Sequence, residues 1–342
     1  MSMRMAGRKR TLVPAIAAVF LLASSGLGAG PLFLERKSVK IALGPDDLFH
    51  GYVQLAAAMG LLGQHGLDAQ LLVADSGEKA ARAVIRGRGL FGVHDFQQVL
   101  LAREREEPLL AIAKGMEGPG LRIMTRDPAL VQAWLSRRLR GAKKFALLRG
   151  MRIGVDGSDM LRAQWVRWMA GRAGLDARKD FEIIDVGPGI DGMAALKSGA
   201  VQYLAARSPA AEMIQDRRAG RIVWPERYEP GEPAPLYLVV SMYEDSVKAY
   251  PEMPGKFLRA LRASFVLMRK QQEHTFSIAQ RLWPRIPEAA LRRAMINTLP
   301  LLPEDLLLTE DGAELTMKLM LEAGMLKRKV SLEEACTNWF VR

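Results

Sequence analysis

Short apolar runs that break at Gly, Pro, Asp or Ser alternate along this chain with stretches where apolar residues recur every three to four positions. The runs predict β-strands and the periodic stretches amphipathic helices. The pattern is written twice. Val39-Lys40-Ile41-Ala42-Leu43 breaks at Gly44-Pro45-Asp46-Asp47, and Met151-Arg152-Ile153-Gly154-Val155 breaks at Asp156-Gly157-Ser158-Asp159. Gly66-Leu67-Asp68-Ala69 in the first copy recurs as Gly174-Leu175-Asp176-Ala177 in the second. Each copy then shows a second strand (70–73, 181–185), a Gly-bearing turn, a short Ala-rich helix (79–86, 190–197) and a third strand (89–93, 201–205).

Helices are also expected at 51–62 and 96–103, with further strands at 109–114 and 121–125. Strands alternating with amphipathic helices imply an α/β chain with doubly wound, mostly parallel sheets, and the repeat implies two such lobes facing across a cleft. A helix is predicted over 127–142, with Trp134, Leu135 and Leu139 on one side and Arg137, Arg138 and Arg140 elsewhere. The loop 225–235 returns the chain to a strand at 236–242, and a helical tail follows, punctuated by Pro284, Pro287, Pro300 and Pro303. The expected lobes are 38–125 with 236–342, and 126–235. The tail is expected to cover the first lobe's sheet and fix the hinge.

At the N-terminus, Arg4, Arg8, Lys9 and Arg10 precede an uncharged apolar run at 12–27 and the small residues Gly26-Leu27-Gly28-Ala29. This predicts an export signal over 1–29, with retention as a membrane anchor the alternative. The address is then the space outside a bacterial cytoplasmic membrane. Without those four basic residues the formal charge of +12 falls to +8. The remaining excess is dispersed except for Arg137, Arg138, Arg140, Lys143, Lys144 and Arg149, a solvated face or a contact for an acidic partner or anionic headgroups. No nucleic-acid partner is expected. The single cysteine, Cys336, excludes an intramolecular disulfide and a Cys-based zinc cluster, and four scattered histidines do not make a metal site.

In open parallel sheets ligands bind beyond the carboxyl ends of the strands, beside helix N-termini. Loops at 44–52, 74–78, 94–96, 156–159, 187–191 and 207–210 fall there. Each has a plainer reading. Asp75, Ser76, Ser158 and Asp159 are good helix caps; Gly187-Pro188-Gly189 makes a tight turn; His50 and His94 follow strands; Arg207 is either a surface residue or a planar fork for a carboxylate or sulfonate. Trp165 and Trp168 are spaced for one helix face, as core or as a stacking surface. Ser76-Gly77-Glu78-Lys79 matches the Ser-x-x-Lys of penicillin-recognising enzymes, but its Ser-Asp-Asn and Lys-Thr-Gly partners are absent. No Gly-x-Ser-x-Gly elbow, Walker loop, His-Glu-x-x-His or dinucleotide fingerprint is present.

From Val39 to Arg342 the chain resembles the periplasmic substrate-binding proteins of ABC importers for nitrate, alkanesulfonates, taurine and thiamine-precursor pyrimidines. The resemblance is carried by Lys40-Ile41-Ala42-Leu43-Gly44, Ala58-Met59-Gly60-Leu61-Leu62, Ser76-Gly77, Phe91-Gly92-Val93, Leu148-Arg149-Gly150-Met151-Arg152-Ile153-Gly154-Val155, Ala194-Ala195-Leu196-Lys197-Ser198-Gly199 and Tyr250-Pro251-Glu252. It implies a two-lobe periplasmic-binding-protein type II fold that takes a small polar or anionic organic molecule between its lobes, without cofactor, metal or catalysis. The implied partners are an ABC permease and its ATPase, with the binding protein itself a monomer. Membrane contact would come through the permease or an uncleaved N-terminal helix. By position, the implied ligand contacts are Asp46, His50, Ser76, His94, Asp95, Ser158, Asp159, Gly187 and Arg207. Two features depart from the family: segment 127–144 is longer than the usual crossover, and the first loop lacks the aromatic-rich pattern of a pyrimidine binder. A membrane-anchored ligand sensor of the same fold is a second reading. A third is an enzyme of the thiamine-pyrimidine type, which lacks its cysteine cluster here, or of the menaquinone-assembly type, which is cytosolic.

Overall fold

The computed structural model describes residues 37–136, 138–155, 161–225 and 234–341. The chain opens with β1 (Lys37–Leu43), α1 (Tyr52–Ala58), α2 (Leu61–Gln64), β2 (Leu67–Val73), α3 (Gly77–Ile85), β3 (Phe91–Asp95), α4 (Phe96–Glu104) and β4 (Leu109–Glu117). It crosses to a second sheet through β5 (Leu121–Thr125), α5 (Pro128–Leu135), β6 (Arg152–Val155), α6 (Leu161–Arg172), β7 (Glu182–Asp185), α7 (Gly192–Ser198), β8 (Tyr203–Arg207), α8 (Ala210–Asp216) and β9 (Arg221–Pro225). It returns in β10 (Leu236–Tyr243), then α9 (Glu244–Ala249), α10 (Met253–Lys270), α11 (Gln272–Leu282), α12 (Glu288–Thr298), α13 (Glu310–Glu322) and α14 (Leu332–Ala335).

The repeat in sequence is a repeat in topology. One sheet has the order β2-β1-β3-β10-β4 and the other β7-β6-β8-β5-β9, so each position in one has its counterpart in the other. In both, the first three strands pair in parallel, and the fourth runs antiparallel to both neighbours. That reversed strand, β10 or β5, is the one arriving from the other lobe. Both crossings enter from the side where the parallel strands end, so the incoming strand must run away from it.

The first crossing is tight, Gly118-Pro119-Gly120, with Gly118 at φ 60° and Gly120 at φ 64°. β5 therefore belongs to the second sheet, and the lobe boundary expected at residue 125 lies before Leu121. An apolar strand at 121–125 fits either sheet by composition; only its pairing with β8 and β9 assigns it. At Gly120 a Cβ would stand 2.6 Å from the Phe49 ring, so both the conformation and the space there require glycine.

The first lobe's core joins both faces of its sheet to the C-terminal helices. Phe91 of β3 stacks on Phe257 of α10 at 4.4 Å, and Tyr52 of α1 meets Phe265 of the same helix edge-on at 5.2 Å. In the second lobe the two faces form separate clusters, as alternation along β8 requires. Tyr203 and Ala205 face Ile153, Trp165 and Trp224, whereas Leu204 and Ala206 face Met124, Leu196 and Ile214. Trp165 is thus core, ringed by Phe145 and Trp224, while half-buried Trp168 carries the Arg172 guanidinium over its ring.

Two expected helices come out differently. Residues 51–62 form two helices, because Gly60 adopts φ 74° and ends the first. Residues 127–142 form only α5, which Asp127 caps by accepting from the amides of Ala129 and Leu130. A 3₁₀ segment follows at Gly141–Leu148. Trp134 is buried against Phe145 and Tyr203, but Leu135 is 48% exposed; Arg137 lies outside the described residues. The expected export segment, 1–29, is also outside them. Among the described residues no helix is long and apolar enough to cross a membrane.

Candidate functional site

The loops that follow the parallel strands of both sheets enclose one cavity of about 360 Å³. The first lobe supplies Asp47 and His50 after β1, Asp75 to Gly77 at the start of α3, and Asp95 at the end of β3. The second supplies Arg162 from the first turn of α6, Gly187-Pro188-Gly189 after β7, and Arg207-Ser208-Pro209 after β8. Leu121, Val186, Leu204 and the prolines make much of the wall apolar.

His50, Ser76, Asp95, Gly187 and Arg207 line the cavity together. Ser76 also caps α3, its Oγ accepting from the Lys79 amide at 3.2 Å. Gly187 sits at φ 78° and donates its N–H to Asp185 Oδ1 at 3.0 Å. Asp46 does not line it. Its Oδ1 accepts from Trp283 Nε1 at 2.8 Å and Gln54 Nε2 at 3.2 Å, which ties the first loop to α11's end. His94 lies beneath the wall, fully buried. Its Nδ1 donates to the Asp95 carbonyl at 3.1 Å and its Nε2 accepts from Ser241 Oγ at 2.7 Å. Burial holds its pKa down to about 4, so it is neutral at pH 7. Ser158 and Asp159 lie outside the described residues.

Across the cavity the lobes meet through charge. Asp47 Oδ1 accepts from the His50 amide and from His50 Nδ1, each at 2.8 Å, and Asp47 Oδ2 accepts from Arg207 Nη2 at 3.3 Å. Burial alone would raise the Asp47 carboxyl. Attraction to His50 and Arg207 and the two hydrogen bonds outweigh it and hold the group well below the carboxylate range. The Arg207 guanidinium also sits over the Phe49 ring, 5.0 Å from its centre. A second junction joins α12 to the second lobe. Arg122 donates to the Asn297 carbonyl at 2.8 Å, and Asn297 Nδ2 and Ser208 Oγ both donate to Glu212 Oε1, at 2.7 and 2.9 Å.

Asp47, Asp75, Arg162 and Ser208 are polar lining residues that the position-by-position resemblance passed over. Asp47 adjoins Asp46, and spacing does not say which of two adjacent carboxylates turns inward. Arg162 left a trace in the sequence: a cation in a helix's first turn opposes the helix dipole and needs a local reason. Among the described residues no grouping of His, Cys, Asp and Glu could hold a metal ion. Both lining hydroxyls, Ser76 and Ser208, are committed to hydrogen bonds. Cys336 is remote, and burial pushes its thiol up to about 12.

Two matching α/β lobes joined by two crossings, with the strand ends of both on one cavity, define a ligand clamp of the periplasmic-binding-protein fold. The NMT1/THI5-like family model matches residues 49–275, and the chain belongs to that family. Among solved structures it is similar to the periplasmic aliphatic sulphonate-binding protein SsuA from Escherichia coli, with TM-score 0.70, 14% identity, and coverage of 90% of this chain and 99% of that one. The alkanesulfonate-binding protein SsuA from Xanthomonas axonopodis pv. citri bound to MOPS matches with TM-score 0.64 and 16% identity over 89% and 99% of the two chains. For the periplasmic nitrate-binding protein NrtA from Synechocystis PCC 6803 the values are 0.63 and 14% over 90% and 87%. A comparison with curated protein sequences finds no match.

Proposed function

We propose that this chain is an extracytoplasmic solute-binding protein that closes its two lobes on a small polar organic molecule and delivers it to an ABC-type permease. The observation carrying this reading is the shared cavity, at about 360 Å³ the size of a small-molecule site, with the inter-lobe pair Asp47–Arg207 on its wall. A pair that spans the cleft forms only when the lobes approach. Similar solved structures include an alkanesulfonate-binding and a nitrate-binding protein, which supports the class of task and leaves the solute open. Residues 1–29 serve in this reading as the export signal, with an uncleaved anchor the alternative.

Thermal unfolding with sulfonates, nitrate, pyrimidines, flavins and amino-acid-like anions tests the proposal. A bound solute at a hundredfold excess over Kd adds about 2.7 kcal/mol of stability. Arg207→Ala should weaken binding of any hit by about tenfold or more, the loss expected for one charge-assisted contact, without unfolding the chain. Failure of every solute, including a total metabolite extract, to shift the transition would refute the reading. N-terminal sequencing of exported protein separates the two fates of residues 1–29: an intact Met1 favours an anchored sensor.

A further inference from the structure

We infer that the site reads an N–H donor on its solute through Asp95. The solute would then be an organic molecule bearing an ammonium, amidinium or amino-heterocycle group, not nitrate or an unsubstituted alkanesulfonate. The inference rests on the solute-binding reading and deepens it.

Asp95 lines the cavity and is only 7% exposed; its Oδ1 is buried without a hydrogen-bond partner among the described residues. Its position makes this unusual. It is the N-cap of α4, where an Asp side chain ordinarily accepts from the helix's first amides, and no such bond forms. Each neighbouring acid has a side-chain partner: Asp47 with His50 and Arg207, Asp75 with Lys79, Asp46 with Trp283, and Glu212 with Ser208 and Asn297, both on Oε1, its Oε2 being buried without one among the described residues. Space is kept open beside it as well. A Cβ on Gly77, another lining residue, would stand 3.3 Å from Asp95 Oδ2 and 3.5 Å from its amide nitrogen.

A carboxylate can only accept, and a buried one without a donor is disfavoured until a ligand supplies it. The complement is an N–H group, best one that carries positive charge. An anion on the same wall would face Asp47, Asp75 and Asp95. A solute that also carries an acidic group has one favoured orientation, its acid toward Arg162 and Arg207 on the other lobe.

Isothermal titration of the purified full chain with shape-matched pairs tests this: benzamidine against benzoate, taurine against ethanesulfonate, and 4-aminopyrimidine against pyrimidine, at constant ionic strength. In at least one pair the N–H member should bind about tenfold or more tighter, and Asp95→Asn should erase most of that preference while the unfolding midpoint is retained. Equal or tighter binding by the members lacking N–H, or a preference that survives Asp95→Asn, overturns the inference and leaves solute binding standing. If no probe binds, mass spectrometry of solute carried by protein taken from its native cell decides. A carried solute without an N–H group overturns the inference alone. Absence of any carried or bound solute overturns the solute-binding reading with it.

Discussion

His94 gives the most direct check on the wall beneath the cavity. It is buried, neutral and fixed between the Asp95 carbonyl and Ser241 Oγ, with its pKa held at about 4 against about 6.5 in an unfolded chain. Between those values the unfolded chain binds a proton that the folded chain refuses. Stability from this group is therefore fully present above pH 6.5 and is lost as pH falls toward 4. Going from pH 7.5 to pH 5, the linkage relation with these two values gives a loss of about 2 kcal/mol from this residue. Asp47, whose folded pKa is depressed from 3.8, acts in the same direction but only below about pH 4, so the two windows separate. The assay is urea unfolding at half-unit steps from pH 7.5 to 4.5 for the wild type and His94→Gln. Gln places an amide near the position of Nε2, keeps a partner for Ser241 and does not titrate. The variant's stability should fall by about 2 kcal/mol less than the wild type's over that interval. Parallel curves would refute the assignment of a buried neutral imidazole and with it the hydrogen-bond pattern drawn around it.

Three further outcomes are expected. Gly120→Ala should destabilise the fold by about 1–3 kcal/mol, because a Cβ meets the Phe49 ring at 2.6 Å on a backbone with φ 64°; a denaturation midpoint within error of the wild type would argue against a fixed first crossing. Asp46→Ala leaves the Trp283 indole N–H without its acceptor and should cost about 1–3 kcal/mol, measurable by denaturation together with a shift in tryptophan emission. Ser76→Ala removes the α3 cap and should cost about 1 kcal/mol in the same assay, with Ser76→Gly costing less.

Much of this molecule was legible in its residues. Strand and helix periodicity marked most elements, and the duplicated Gly-Leu-Asp-Ala word marked the two lobes. The glycines that open those words, Gly66 and Gly174, both adopt positive φ, at 78° and 81°, a local demand that sequence exposes directly. The six loops expected at strand ends follow from right-handed alternation of strand and helix, and those among the described residues do converge. Local rules failed where two choices were locally equivalent. The run at 121–125 could join either sheet, and Asp46 and Asp47 are chemically identical neighbours.

What sequence alone determined, then, were the elements, their repetition and the ends of the strands at which polar side chains gather, because these depend on contacts between residues close along the chain. Tertiary structure decided the rest. Asp46 was drawn to Trp283, 237 residues away; Asp47 to Arg207, 160 away; His94 to Ser241, 147 away. A side chain's role in a closed cavity is set by which distant donor or acceptor reaches it first, and no local pattern carries that information.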